Sequence, residues 1–383
     1  MSPSGPSPAV PTAARSAFRA LVGRHVGVVR RVVEAVRSES DPPMFAFAAE
    51  LCDAAALGRG ACLPNAAGGG WTREEALLRC LGEAAERYGA STPAGFARVV
   101  GPPPAGAVLP GDVAPFSDEQ RRGPGFPFAS EGPCAWVEGI DLATGRPRSA
   151  PAFAVYIPYA PAAGEAVFGP SLSTGLAAGP TVDSALDSAL LEAIERDAFV
   201  RWWFAGEPAP TVDLAGAHAV DLTGRLGVPV AAVLVERDVV SVGTAAARTF
   251  DEALGKAHLE AELGQIYVRS LVRRSTPRDR LESFEDHARF YTDHAERRAV
   301  LDLFRTGPRR APTACRVDPR EALLAAGYAP WWKDLTSSDL ACAGFHVVKA
   351  IVPGLAPLHA IEDWPFLGAP GLVVRNRSPH PIP

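Results

Sequence analysis

Two short runs in this chain have the residue types and spacing for the same chemistry. Glu83, Glu86 and Arg87 stand at i, i+3 and i+4, and so do Glu192, Glu195 and Arg196. At that spacing three side chains share one surface of a helix. A single trio of this kind is ordinarily a solvated face carrying an i, i+4 ion pair. Two trios weigh differently. Two carboxylates from each of two helices make an oxygen-rich site. Such a site suits a hard cation such as Mg2+, which shares carboxylate oxygens with water and phosphate. An arginine beside each pair suits phosphate oxygens. The residues alone therefore point to a nucleotide–Mg2+ site between two related lobes. It is neither a P-loop, since no lysine follows Gly68–Gly70, nor a Rossmann fingerprint.

The trios lie in a repeat. Gly70–Arg87 and Gly179–Arg196 align at a constant offset of 109 residues, sharing Gly, Thr, Ala, Leu, Glu and Arg positions. The spacing predicts a helix for each. Thr72 and Glu75 fit a capping box for the first, and Ala76, Leu77, Cys80, Leu81, Ala84 and Tyr88 mark its core face. The second starts near Thr181 and runs into the aromatic stretch Asp197–Phe204, where Trp202 and Trp203 belong to the core or to a nucleotide or peptide cleft. Glycine-rich stretches, Ala66–Gly70 and Phe168–Gly179, read as loops that deliver the helices close to a ligand.

The rest supplies a frame. Residues 1–14 read as a disordered Pro/Ser/Ala-rich tail. Ser16–Ser38 reads as a helix, or a helix and a strand, and Phe45–Leu57 as a strand or short helix. The segment 101–133 reads as irregular. Ala135–Ile140 and Ser149–Ile157 read as strands, and Val228–Val242 as two strands turning at Glu236–Asp238. Phe250–Val272 (with Glu260, Glu262 and Gln265), Leu281–Arg305 and Pro319–Gly327 read as helical, and Phe345–Val352 as a strand. The class is mixed α/β.

Composition narrows the function. Across 383 residues, 47% hydrophobic and 21% charged residues describe a core-forming protein. A net charge of −5 gives no footprint for nucleic acid or an anionic membrane. No apolar run is long enough for a bilayer span, and the start MSPSGPSPAVPTAA has no signal-peptide pattern, so a cytoplasmic location is expected. The six cysteines are scattered without a C-x-x-C pair, which argues against a zinc site or a disulfide framework. His25, His258, His287, His294 and His346 lack metal-ligand spacing and are assigned no role.

The ordered motifs Glu83-Ala-Ala-Glu86-Arg87, Ser173–Gly179 and Glu192-Ala-Ile-Glu195-Arg196-Asp197-Ala198 resemble the YcaO-domain family, ATP-dependent enzymes that modify peptide backbone amides. Asp286–Tyr291, Asp334–Asp339 and Val352-Pro-Gly354 extend the likeness, so residues 15–383 read as one YcaO domain with pseudo-repeated lobes around a nucleotide cleft. The resemblance implies that Glu83, Glu86, Glu192 and Glu195 hold Mg2+ and, with Arg87 and Arg196, ATP. The end, Ser378-Pro-His-Pro-Ile-Pro383, is similar to the PxPxP terminus of the azoline-forming branch. That likeness implies a catalytic role for the carboxylate of Pro383. The implied reaction is cyclodehydration of Cys, Ser or Thr to thiazoline or oxazoline in a ribosomally made precursor peptide.

Several positions depart from the family's pattern. Arg79 stands where a serine is usual, and it either contacts phosphate or fills the space where ATP sits. Gly68–Gly70 replaces GKG, and Pro180 and Ser184 replace Asn and Glu. These departures motivate a second reading, a degenerate member that binds precursor or partner. A third keeps ATP and forms a thioamide or macroamidine. The expected partners are a precursor peptide and a separate E1-like or ocin-ThiF-like protein, with a homodimer left open.

Overall fold

The computed structural model describes residues 12–24, 27–37, 41–278, 280–311 and 315–382. Residues 1–11 of the expected disordered tail, His25 and Pro383 lie outside them. Residues 12–14 are not a tail: they begin a helix, and Ala14 is fully buried.

The chain opens with α1 (Thr12–Leu21), β1 (Val29–Glu34), β2 (Phe45–Leu51) and β3 (Asn65–Gly70), whose strands form an antiparallel sheet in that order. β3 leads into α2 (Arg73–Gly89), which packs back on β3 and β2. Then follow β4 (Val100–Gly101), the short α3 (Pro110–Val113) and α4 (Asp118–Arg122), and the hairpin of β5 (Cys134–Asp141) and β6 (Pro147–Pro151). β7 (Leu176–Gly179) leads into α5 (Val182–Ala205). β8 (Thr211–Val212), β9 (His218–Asp221), β10 (Val230–Glu236) and β11 (Val240–Ala246) form a second antiparallel sheet, ordered β11-β10-β9-β8. β11 leads into α6 (Phe250–Arg274). After α7 (Phe284–Asp293) and α8 (Pro319–Ala325) come β12 (Trp331–Asp334), α9 (Ser338–Cys342) and β13 (His346–Ile351). These strands complete a six-stranded sheet ordered β4-β5-β12-β13-β7, with β6 on β5.

The mixed α/β class is as read from the sequence. Helix α5 explains how the layers join. It packs on β13 and β7 on one side and on β11 on the other. It therefore buries residues on several faces, from Leu186 and Leu190 to Phe199 and Trp203, where a surface helix would bury a single stripe.

One stretch differs in kind. Ala66–Gly70 is no loop but most of strand β3, paired with Phe45–Ala49 of β2. Its glycines serve packing. A Cβ on Gly68 would stand 2.1 Å from the Cys80 amide nitrogen of α2 and 2.6 Å from the Ala76 carbonyl oxygen. Only a bare backbone lets helix and strand approach this closely. The end of the second glycine-rich stretch is likewise strand, β7.

Candidate functional site

Each of three strand–helix units ends its strand, caps the helix with threonine and runs on. Thr72, Thr181 and Thr249 accept hydrogen bonds through their side-chain hydroxyls from the amides of Glu75, Ser184 and Glu252, at 3.2, 3.1 and 3.3 Å. This satisfies one orphan N–H per helix. Two units are the repeat read from the sequence. The third, β11–α6, is new. Counted from its cap, each helix places alanine at the fourth position (Ala76, Ala185, Ala253) and glutamate at the eleventh (Glu83, Glu192, Glu260).

The eleventh-position glutamate bonds back to its own unit's strand or the residue just before it. The amides of Ala67, Gly175 and Thr244 donate to Glu83, Glu192 and Glu260, at 2.9, 3.1 and 3.4 Å. The fourteenth position reaches forward to the next unit. Glu86 accepts the Ala178 amide of β7 at 2.8 Å, and Glu195 accepts the Thr244 hydroxyl of β11 at 2.6 Å. In the third helix this position is Leu263, which packs over Gly69 of β3, where a Cβ would lie 3.0 Å from Leu263 Cδ1. The three units thus close into a ring, and the acids of the first two point to its middle.

Hydrogen bonding divides these acids. Glu83 is engaged at both oxygens, by the Ala67 amide and by Arg87, which also donates to the Asn65 carbonyl. Glu195 takes the Thr244 hydroxyl and stands 3.7 Å from Arg196 Nε. Among the described residues, Glu86, Glu192 and Glu260 are each hydrogen-bonded at one oxygen, and Glu195 meets Thr244 and Arg196 with the same oxygen, Oε1. The carboxyl pKa of each of Glu86, Glu192 and Glu260 is raised. Burial pushes Glu86 up to about 8 against the Ala178 hydrogen bond. Burial takes Glu192 to about 7 despite Arg196. Desolvation and the Glu195 charge take Glu260 to about 8, although its side chain is open to the cleft. Burial also raises Glu195. Arg196 answers several of them: Glu195, Glu192 and Glu260 raise its pKa against burial, and its Nη1 is buried without a partner.

A family model described as YcaO cyclodehydratase, ATP- and Mg2+-binding, matches residues 67–356. The chain belongs to the YcaO family. Its fold is similar to a heterocyclase in complex with substrate and cofactor (TM-score 0.72, 21% identity), covering 91% of this chain and 53% of that one. The chain thus spans about half that heterocyclase's length. It is similar to the YcaO protein from Methanopyrus kandleri bound with AMPPCP and Mg2+ (TM-score 0.62, 20% identity, 92% and 91% covered). It is also similar to a chain of the E. coli microcin synthetase McbBCD complex with pro-MccB17 bound (TM-score 0.62, 13% identity, 92% and 96% covered). No curated protein matches it in sequence.

The ring fits the family's ligands. Several raised carboxyls around one arginine are short of positive charge, and an unpartnered buried guanidinium nitrogen is short of an acceptor; Mg2+ and phosphate supply one each. The acids form no all-protein cage. Among the described residues, the His/Cys/Asp/Glu group compact enough for one ion is His287, His359 and His380. Mg2+ fits the acids nonetheless, because it commonly uses one or two carboxylates with phosphates and water.

Other residues fall as follows. Arg79 is exposed at the seventh position, one turn before Glu83; Ser188 and Lys256 hold that place in the other helices. Ser184 completes the α5 cap, its hydroxyl accepting the Thr181 amide at 3.1 Å, eight residues and about 12 Å before Glu192. Pro180 precedes that cap. Trp203 is core, 1% exposed, and donates to the Ser378 carbonyl at 2.8 Å; Trp202 packs beside it on Phe199 and Phe304. Trp203 thus holds the C-terminal segment, also accepting a hydrogen bond from the Asn376 side chain at its carbonyl, at 3.0 Å. Among the histidines given no role, His287 is fully buried against that segment.

Sequence reasoning missed Glu260 and Lys349. Glu260 sat in a recognised helix without a partner motif; the signal was its place eleven residues after Thr249. Lys349 of β13 is 2% exposed and donates to the carbonyls of Leu172 and Thr174 at 2.7 and 2.6 Å. Burial lowers it to about 8, opposed by Glu192, so its charge faces the acid ring. A lone lysine in an apolar strand carried no such signal.

Proposed function

We propose that the ring binds Mg2+–ATP. In this reading Glu86, Glu192 and Glu260 turn their other oxygens to the metal, and Glu83 and Glu195 complete the acid set. Arg196, Arg87, Arg79 and Lys256 serve the phosphates. Mg2+ supplies charge neutralisation on the triphosphate. The protein holds the groups in place: main-chain amides fix one oxygen of each eleventh-position acid, so little reorganisation is left for binding.

The reaction we propose is ATP-dependent cyclodehydration of Cys, Ser or Thr in a ribosomally made precursor peptide. The side-chain thiol or hydroxyl adds to the preceding amide carbonyl, and its proton leaves. The former carbonyl oxygen takes the γ-phosphoryl group, releasing ADP. Loss of that oxygen as phosphate, with the amide proton, forms the C=N bond of a thiazoline or oxazoline. The peptide loses one water in total. Catalysis of this kind is mainly positioning and charge stabilisation. The choice of azoline formation rests on the likeness of Ser378-Pro-His-Pro-Ile-Pro383 to the PxPxP terminus of that branch. The role proposed for Pro383 lies outside the described residues. The chain would act with a separate E1-like protein that presents the peptide.

The test is mass spectrometry of a precursor peptide after incubation with Mg2+–ATP, with and without that partner. Loss of one water per ring with matching ADP release supports the reading. A gain of sulfur identifies thioamide formation instead. Unchanged turnover in the Glu192→Gln, Glu195→Gln double variant refutes the site.

A further inference from the structure

The last described residues are buried, although prolines leave them few donors. Ser378-Pro-His-Pro-Ile382 carries amide N–H groups only at Ser378, His380 and Ile382. Its carbonyls are taken one after another by core side chains. Trp203 Nε1 donates to Ser378 at 2.8 Å, Tyr291 Oη to Pro379 at 2.6 Å, and His287 Nδ1 meets the His380 carbonyl at 3.2 Å. His380 itself is 1% exposed. Its Nε2 lies 2.7 Å from the His359 carbonyl, and its Nδ1 lies 3.4 Å from the Ile382 amide nitrogen.

These partners fix the protons. A carbonyl only accepts, so His380 carries hydrogen on Nε2 and His287 carries hydrogen on Nδ1. His380 Nδ1 is then a bare lone pair, and the Ile382 N–H donates to it. One imidazole ring therefore links the core at His359 to the main chain two residues beyond itself.

We propose that His380, as the neutral Nε2–H tautomer, is the positioning residue that aims the C-terminal segment at the acid ring. Its consequence for turnover rests on the cleft reading above; its effect on the segment does not. Protonation would place an N–H on Nδ1 against the Ile382 N–H. The surrounding groups would not accept the charge. From α7 come His287, stacked at 3.9 Å and 5°, and Tyr291. From α5 comes the positive Arg196. From the loop come His359 and Glu362, and Glu362 is already 3.2 Å from His359 Nε2. Burial, then the neighbouring histidines, hold His380 well below the usual imidazole range. The seating is therefore complete above the free histidine value of about 6.5 and weakens as pH falls below it.

A metal is the rival occupant of this trio. Ring-nitrogen lone pairs lie in their ring planes, so one ion cannot take both His287 and His380 while those rings stay parallel.

The experiment uses the full chain. Long-range nitrogen–proton spectra of the imidazoles between pH 5 and 8 should show His380 neutral and protonated at Nε2 at pH 7.5. Trypsin cleavage after the exposed Arg377, calibrated at each pH with a free peptide, reports release of the segment. His380→Phe should speed cleavage about tenfold or more, the loss of one or two buried hydrogen bonds. His380→Gln, which keeps a donor for His359, should lie between Phe and the parent. The parent should approach the His380→Phe rate as pH falls to 5. In turnover, His380→Phe should lower kcat and leave the KM for ATP unchanged, with partial rescue by His380→Gln. Equal protection in His380→Phe, an Nδ1–H tautomer, or one equivalent of metal whose chelation frees the segment would each overturn the proposal. A parent chain without ATP turnover would sink the cleft reading and leave the cleavage and tautomer results standing.

Discussion

Loading the ring with Mg2+–ATP should expel protons. Glu86 is pushed up to about 8 and Glu192 to about 7, chiefly by burial. At pH 7 a carboxyl with a midpoint near 8 holds about nine-tenths of a proton, and one near 7 holds about half. A divalent cation demands the ionised form. Those two acids together release about 1.4 protons, and Glu260, screened by solvent in the open cleft, adds a smaller share. Titration calorimetry with preformed Mg2+–ATP, in buffers of different ionisation enthalpy, counts them from the slope of observed against buffer enthalpy. The expected release at pH 7 is between about one and two protons, falling below about 0.3 at pH 9. Glu86→Gln should remove about 0.9 of it. The same shifts set the sign for stability. Below a midpoint of about 8, the folded chain without nucleotide keeps protons that the unfolded chain loses above about 4.3. Its stability should therefore fall as pH rises through that window, and Mg2+–ATP should flatten the fall. A zero slope, or proton uptake at pH 7, would refute the assignment of these carboxyls to the cation.

Glu260→Gln should lower ATP turnover about 100-fold, as much as Glu192→Gln, with unchanged circular dichroism; an effect below threefold would separate the third unit from the site. Gly68→Ala forces a Cβ to 2.1 Å from the Cys80 amide nitrogen and should cost about 3 kcal/mol or more in the urea midpoint. Thr249→Ala removes the α6 cap and should cost about 1 kcal/mol by the same measurement.

The sequence showed two of the three units because Gly70–Arg87 and Gly179–Arg196 share a whole face of side chains at one offset. It hid the third because β11–α6 keeps the cap threonine, Ala253, Leu254, Glu260 and Ala261 of that pattern but neither the second acid nor the arginine, 68 residues after the second unit. Element types were largely legible. The exceptions were places where tertiary contact decides. The run Ala66–Gly70 has turn composition, but pairing with β2 and the approach of α2 make it a strand. β12 was missed, since four residues, Trp331–Asp334, carry little periodicity on their own. His359 and His380 could not be linked to His287, because chain folding alone brings them within 4.8 Å.

The shared helical surface of Glu83, Glu86 and Arg87 suggested one job for the trio, and the ring shows two. An acid at the eleventh position folds back to the strand that precedes its helix, whereas one at the fourteenth crosses to the next unit. This explains why the third helix lacks the second acid and the arginine. Its forward neighbour is β3, whose bare Gly69 offers Leu263 an apolar seat. A carboxylate there would lose water without gaining a charged or hydroxyl partner. The arginine position is Gly264, where a Cβ would already stand 2.8 Å from the Ser241 Cβ. Helix α6 lies too close to β11 for a side chain at that point. The glutamate that remains, Glu260, is the one whose position needs only its own strand. The absence of the Glu–Arg pair from the third unit therefore follows from packing, whereas packing does not account for Glu260, and the cation proposed for the middle of the ring would.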